Sequence, residues 1–306
     1  MRILILPITV LLIASCANKA SDNEGWRKIQ SGVTDVLLGI SMPSQTTGYI
    51  VGTNGRILKT TNGGNDWSSQ TSGTTSFLRD VHFINDSLGV AVGESGKILY
   101  TDDGGEHWNV KVSNTTSHLV HVHFANSKSG IASGQNGVIL YSSNGGDTWL
   151  PRVSGTASEL AGCFALSDSD FVVVGFDGTI RSSTNAGRNW VSETSGTTQH
   201  LRGISKTQNG DMIVVGYSGV LLRKTSGSSE WASSTSHTTN NLFGVDCATT
   251  SGSVFVSGTS VMLESSDNGN VWHTNDVPTS VDLYDIYTAN DGGGIAVGQN
   301  GTILIK

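Results

Sequence analysis

Tryptophan occurs seven times in the chain, at Trp26, Trp67, Trp108, Trp149, Trp190, Trp231 and Trp272, each 41 residues after the one before. A spacing held through seven copies without an insertion marks one structural unit repeated in tandem, and such a period has to be read before any local pattern. Residues 77–113 show the unit best. Phe77–Phe83 (FLRDVHF) reads as a first strand, Gly89–Gly93 (GVAVG) as a second and Lys97–Thr101 (KILYT) as a third, while Trp108 opens a fourth. Four short strands in 41 residues form the pattern of a propeller blade. Helical periodicity is absent.

The ends of the chain predict how the ring closes. The repeat begins at Trp26, in a fourth strand, and stops after Gly301-Thr302-Ile303-Leu304-Ile305, in a third. Six complete units lie between, so the seventh blade takes three strands from the C-terminus and one from the N-terminus. Such sharing pairs edges that would otherwise stay open. The expectation is an all-β, seven-bladed propeller over residues 26–306, its last blade closed by residues 26–32 pairing with 301–306. The turns Thr53-Asn54-Gly55, Gln135-Asn136-Gly137 and Phe176-Asp177-Gly178 carry hairpin chemistry that tolerates positive φ.

Internal repetition also separates positions that packing dictates from positions it leaves free. Eleven residues after each tryptophan stands a leucine (Leu37, Leu78, Leu119, Leu160, Leu201, Leu242, Leu283). Three further on come Ile40, Val81, Val122, Cys163, Ile204, Val245 and Ile286, and the third strands repeat Ile57, Ile98, Ile139, Ile180, Leu221, Met262 and Ile303. These columns are expected to fill the spaces between blades. Both faces of each sheet are then covered, and clean polar–apolar alternation is not expected.

The turn before most tryptophans follows [Ser/Thr]-x-[Asn/Asp]-x-Gly-x-x-Trp: Thr60, Asn62, Gly64, Trp67; Thr101, Asp103, Gly105, Trp108; Ser142, Asn144, Gly146, Trp149; Ser183, Asn185, Gly187, Trp190; Ser265, Asp267, Gly269, Trp272. The copy before Trp231 is degenerate, with Lys224, Ser226 and Ser228. An Asn or Asp oxygen here can staple its own turn or hold a cation; amides in several copies favour the staple. The motif resembles the Asp-box (BNR) repeat. Taken with Val51-Gly52-Thr53-Asn54-Gly55-Arg56-Ile57-Leu58-Lys59-Thr60, and with Val92 to Trp108, the chain resembles the photosystem II assembly and stability factor family over residues 26–306. The resemblance implies a seven-bladed, non-enzymatic, exported scaffold, lipidated in some bacteria, that binds membrane-protein assembly intermediates, and hence a role in photosynthesis. That family carries a basic surface patch. Here the arginines Arg79, Arg152, Arg188 and Arg202 are scattered along the sequence.

The N-terminus reads as a targeting segment. Met1-Arg2 is followed by the apolar run Ile3–Ile13, too short for an ordinary membrane helix, and then by Ile13-Ala14-Ser15-Cys16. These four residues resemble a bacterial lipobox, which implies a signal peptide over 1–15, lipid on Cys16 and a flexible tether over 16–25. Ala17 in place of aspartate points away from inner-membrane retention, so the expected place is the cell envelope, at the outer membrane or the periplasmic face. The other cysteines, Cys163 and Cys247, are expected to be small buried residues without a disulfide.

Composition narrows the function classes. The net charge of −7 and the absence of any Lys/Arg cluster argue against nucleic acid as a partner. No Cys/His metal spacing exists; His82 and His123 share a column in adjacent blades with His121 nearby, which reads better as satisfied inner-strand histidines than as a metal site. No cofactor is expected, and the protein is expected to be a monomer. Sialidase-like glycosidases also carry Asp boxes, but they need an arginine cluster, a Tyr–Glu pair and an Arg-Ile-Pro stretch; Arg56-Ile57 is followed by leucine. An enzyme is therefore not expected. Three columns vary beside constant neighbours, as function on a rigid scaffold does. They supply the candidate binding face: Arg79, Glu94, His118, Gln135, Phe176, His200, Arg202, Tyr217, Phe243, Tyr284 and Gln299, with the aromatics read as an exposed hot spot. A protein partner is the leading expectation, a glycan the alternative.

Overall fold

The computed structural model describes residues 25–306. The signal segment 1–15, Cys16 and all but the last residue of the 16–25 tether lie outside the described residues. From residue 26 on, the chain forms seven four-stranded antiparallel sheets arranged in a ring. Blade 2 is typical, with strands Leu78–Phe83, Gly89–Gly93, Ile98–Thr101 and Asn109–Val110. Blade 7 consists of Leu283–Thr288, Gly294–Gly298 and Ile303–Ile305 with Arg27–Ile29 from the other end of the chain. The closing register is Arg27 with Ile305, Lys28 with Leu304 and Ile29 with Ile303. The ring is shut as the unequal ends of the sequence predict.

Packing explains the constant columns. All seven repeat leucines are completely buried, and the isoleucine, leucine or methionine of every third strand is at most 1% exposed. The apolar residues form seven separate clusters, each spanning one interface between neighbouring blades. Second strands are buried along their whole length in every blade, as sheets covered on both faces require. Cys163 and Cys247 are free and buried within these clusters, and burial pushes both thiols up.

Two devices recur at the inner hairpins. The turn between second and third strands has positive φ at two successive residues, Asn54 at 57° and Gly55 at 66°, the arrangement of a type I′ turn. A Cβ on Gly55 would lie 2.0 Å from the Thr74 carbonyl oxygen, so both φ and space demand glycine. The second device is a bulge. In every blade the ladder slips one residue directly after the constant leucine, between Leu78 and Asp80 in blade 2, for example. A bulge re-aims a side chain. Here the leucine points into the blade interface and the following residue turns to the face of the disc.

Candidate functional site

The two edges of the disc are built differently. On one edge, each Asp-box turn is closed by its own side chains. In blade 2, Thr101 Oγ1 accepts the N–H of Gly105 at 2.9 Å and donates to Asp103 Oδ1 at 2.8 Å, and that oxygen accepts the N–H of His107 at 3.0 Å. Blades 1, 3, 4 and 6 repeat this triangle through Asn62, Asn144, Asn185 and Asp267. The backbone N–H of His107, then its ring, hold the Asp103 carboxyl down at about 2. The oxygens are thus consumed by the turn. Among the described residues no group of three His, Cys, Asp or Glu side chains is placed to hold a metal. Trp67, Trp149, Trp190 and Trp272 donate their indole N–H to the carbonyl three residues back, while Trp108 and Trp26 leave theirs unpaired. Trp231, behind the degenerate copy, donates instead to Glu193 of the preceding blade at 2.7 Å, and Lys224 caps the same oxygen.

On the other edge the variable columns meet. All seven bulged residues (Leu38, Arg79, Val120, Ala161, Arg202, Phe243, Tyr284) line one cavity on the ring axis. Arg79 and Arg202, apart in sequence, therefore share a mouth. Each is held by a glutamate: Arg79 by Glu94 at 3.1 Å, Arg202 by Glu159 at 3.6 Å. Gln299 donates to Asp282 and to the Tyr284 hydroxyl, both at 3.0 Å. His118 and His200 partly serve the frame, since each Nδ1 accepts a backbone N–H from the turn of the preceding blade, at Ser95 and Asp177. Gln135 is half-buried at its turn, and its backbone N–H donates to the His118 carbonyl.

The aromatics of this edge form one continuous arc. Phe176 stacks on His200 at 4.0 Å between ring centres, His200 meets Tyr217 at 5.4 Å, Tyr217 meets Phe243 at 6.2 Å, and Phe243 meets Tyr284 at 5.4 Å. The rings are half-buried rather than openly exposed because they cover one another. Blades 1 to 3 have no such arc; Phe77 stands alone there at 36% exposed.

Below the mouth the axis is lined by a polar channel in which the inner-strand histidines His82, His121 and His123 stand beside three acids. The residue two beyond each leucine faces it: Asp80, His121, Asp285 and four glycines. The next channel position carries His82, His123, Ser205, Asp246 and Tyr287. Several of these side chains tie blades together. Asp80 accepts the N–H of Val122 at 2.8 Å, Asp285 that of Ile40 at 2.9 Å, Asp246 that of Thr288 at 2.7 Å and His123 that of Ala165 at 3.1 Å. Burial pushes the Asp246 carboxyl up to about 6 and the His82 ring down to about 4, His121 adding to the latter. Asp285 is raised by burial and by Asp80, on the far side of the intervening blade 1. Asp80 and Asp285 were legible as substitutions in a glycine column, but only the ring brings them together with Asp246.

A sequence profile described as photosynthesis system II assembly factor YCF48 matches residues 18–76 and 66–242. The chain belongs to this YCF48 family. Among solved structures, one described as YCF48 bound to D1 peptide superposes with a TM-score of 0.75 at 21% identity, covering 92% of this chain and 96% of that one. YCF48 from Cyanidioschyzon merolae gives 0.74 at 17% identity, with 92% and 98% covered. The WD40 repeats of RRP9 give 0.80 at 11%, with 92% and 97% covered. At such identities these likenesses speak for the seven-bladed fold. No curated protein matches the chain.

Proposed function

We propose that the protein is a non-enzymatic, exported scaffold of the YCF48 type, anchored through lipid on Cys16, that binds a protein partner on the face where the seven bulged residues converge and so assists assembly of a membrane complex. The observation that carries the reading is the contrast at that face: frame positions repeat around the ring, while the side chains turned outward by the bulges vary in size and charge, with only arginine used twice, and gather at one mouth. A YCF48 structure with a D1 peptide bound supports a peptide as the kind of ligand. The N-terminal lipobox supports the envelope as the place, and a photosynthetic complex is the family-implied target.

The test is site-specific photocrosslinking in the native host. A crosslinker at Tyr217 is expected to trap one protein in the membrane fraction, and the same group at Val153 on the outer rim is expected to trap none. Cys16→Ser should move the protein to the soluble fraction. Equal trapping from both positions, or none from Tyr217, would refute the binding face.

A further inference from the structure

Resting on the protein-binding reading, we infer that the aromatic arc of blades 4 to 7 selects an extended peptide segment carrying apolar side chains and little net charge. Three observations converge on that occupant. The first is charge. Every arginine on this face has its own partner within the face: Arg56 with Asp35 at 2.9 Å, Arg79 with Glu94 and Arg202 with Glu159. Asp282 is engaged by Gln299. An acidic segment finds no unpaired arginine here, and a basic one meets Glu94, Glu159 and Asp282 already engaged. The charges left over, Lys97 and the exposed Asp177, are single, of opposite sign and on different blades, so a strongly charged partner gains little.

The second is the geometry of the rings. Phe176 and His200 lie at 18° to each other with centres 4.0 Å apart, and Phe243 and Tyr284 are inclined by 36° at 5.4 Å. His200–Tyr217 and Tyr217–Phe243 meet edge to face at 66° and 78°, so the arc is a run of alternating ring orientations with clefts between them and not a flat platform. A sugar stacks its C–H surface on an open ring face, whereas a branched aliphatic or aromatic side chain wedges between ring edges, where aromatic pairs gain energy beyond their buried area. This favours peptide over glycan. The third is the mouth beside the arc, about 70 Å³, where Leu38, Val120, Ala161, Phe243 and Tyr284 stand beside the glutamate-paired Arg79 and Arg202, with Asp80, His121 and Asp285 deeper in. It has room for one side chain at the end of the row.

A random peptide library panned against the full-length protein in detergent tests this. The expected winners carry apolar residues at spaced positions and no net charge. Their affinity should change less than about threefold between roughly 0.05 and 0.5 M salt, because screening has little to act on. Binding should fall at least tenfold in Phe243→Asp and in Tyr217→Arg, two independent half-buried positions whose melting temperatures show whether the fold is kept. Acidic or basic winners, a steep salt dependence, binding that survives both folded variants, or retention of polysaccharide with no peptide would each overturn the inference. If Tyr217 still crosslinks a protein in the host, only the chemistry assigned here falls; if neither peptide nor protein is captured, the binding reading falls with it.

Discussion

The two edges of the disc come from the same 41-residue repeat and have opposite characters. On the Asp-box edge, Thr101, Asp103 and their counterparts spend their hydrogen bonds on their own turn, blade after blade. On the opposite edge the backbone repeats, but the side chains do not: Arg79, Val120, Phe243 and Tyr284 occupy equivalent bulges. A repeated turn that satisfies itself leaves nothing over for a ligand. A bulge that exports one side chain per blade leaves a choice at each, and that choice, with those at the adjoining turn and entry positions that supply Phe176, His200 and Tyr217, is where blades 4 to 7 came to differ from blades 1 to 3.

Neighbouring residues give the hardest test of this division. Leu119 is completely buried and Val120, next in the chain, is turned to the mouth. Leu119→Ala is expected to cost about 2–5 kcal/mol of unfolding free energy and Val120→Ala less than about 1 kcal/mol, measured by urea denaturation. Similar costs at the two sites would mean that the bulge does not separate frame from face.

Asp246 gives an effect of up to about 3 kcal/mol, less to the extent that channel water solvates the group. Its carboxyl stands at about 6 in the fold and near 3.8 when unfolded, so its favourable contribution is complete below about pH 3.8 and is lost as pH rises through about 6. Asp246→Asn keeps an oxygen for the Thr288 N–H and should gain stability relative to the native protein over that window. His82 works in the other direction: with its ring lowered to about 4, stability is lost as pH falls from about 6.5 towards 4. Stability curves of the variant and native protein that run parallel across this range would remove the channel from the account.

The smallest contrast is between turns. Thr101→Val deletes a completely buried hydroxyl that three groups share, at an expected cost of about 1–3 kcal/mol. Gln135→Ala, at the turn on the opposite edge, should stay within about 0.5 kcal/mol. Thermal melts of the two variants side by side would decide it.

Much of the frame was readable before any coordinates. Trp26 and Ile305, at the two ends of one spacing, implied a shared blade; Leu37 to Leu283 implied the interfaces; Asn54 and Asp177 implied positive φ. The candidate face was readable only as columns. Arg79 and Arg202 looked scattered because three blades of sequence separate them, and the ring makes them neighbours across one mouth. The half-burial of Phe176 and Tyr217 was hidden for the same reason, since each is covered by rings from other parts of the chain.

Periodicity alone therefore determined the blade count, the closure and the division of positions into constant and variable, because a repeating unit must bury the same surface against each neighbour. The arc, the paired arginines, the acids of the channel and the handing of the Trp231 N–H to Glu193 were decided by tertiary structure. Many of these are contacts between blades at positions where the blades differ, such as Arg202 with Glu159 and Phe243 with Tyr284, while Arg79 with Glu94 pairs two variable positions inside one blade.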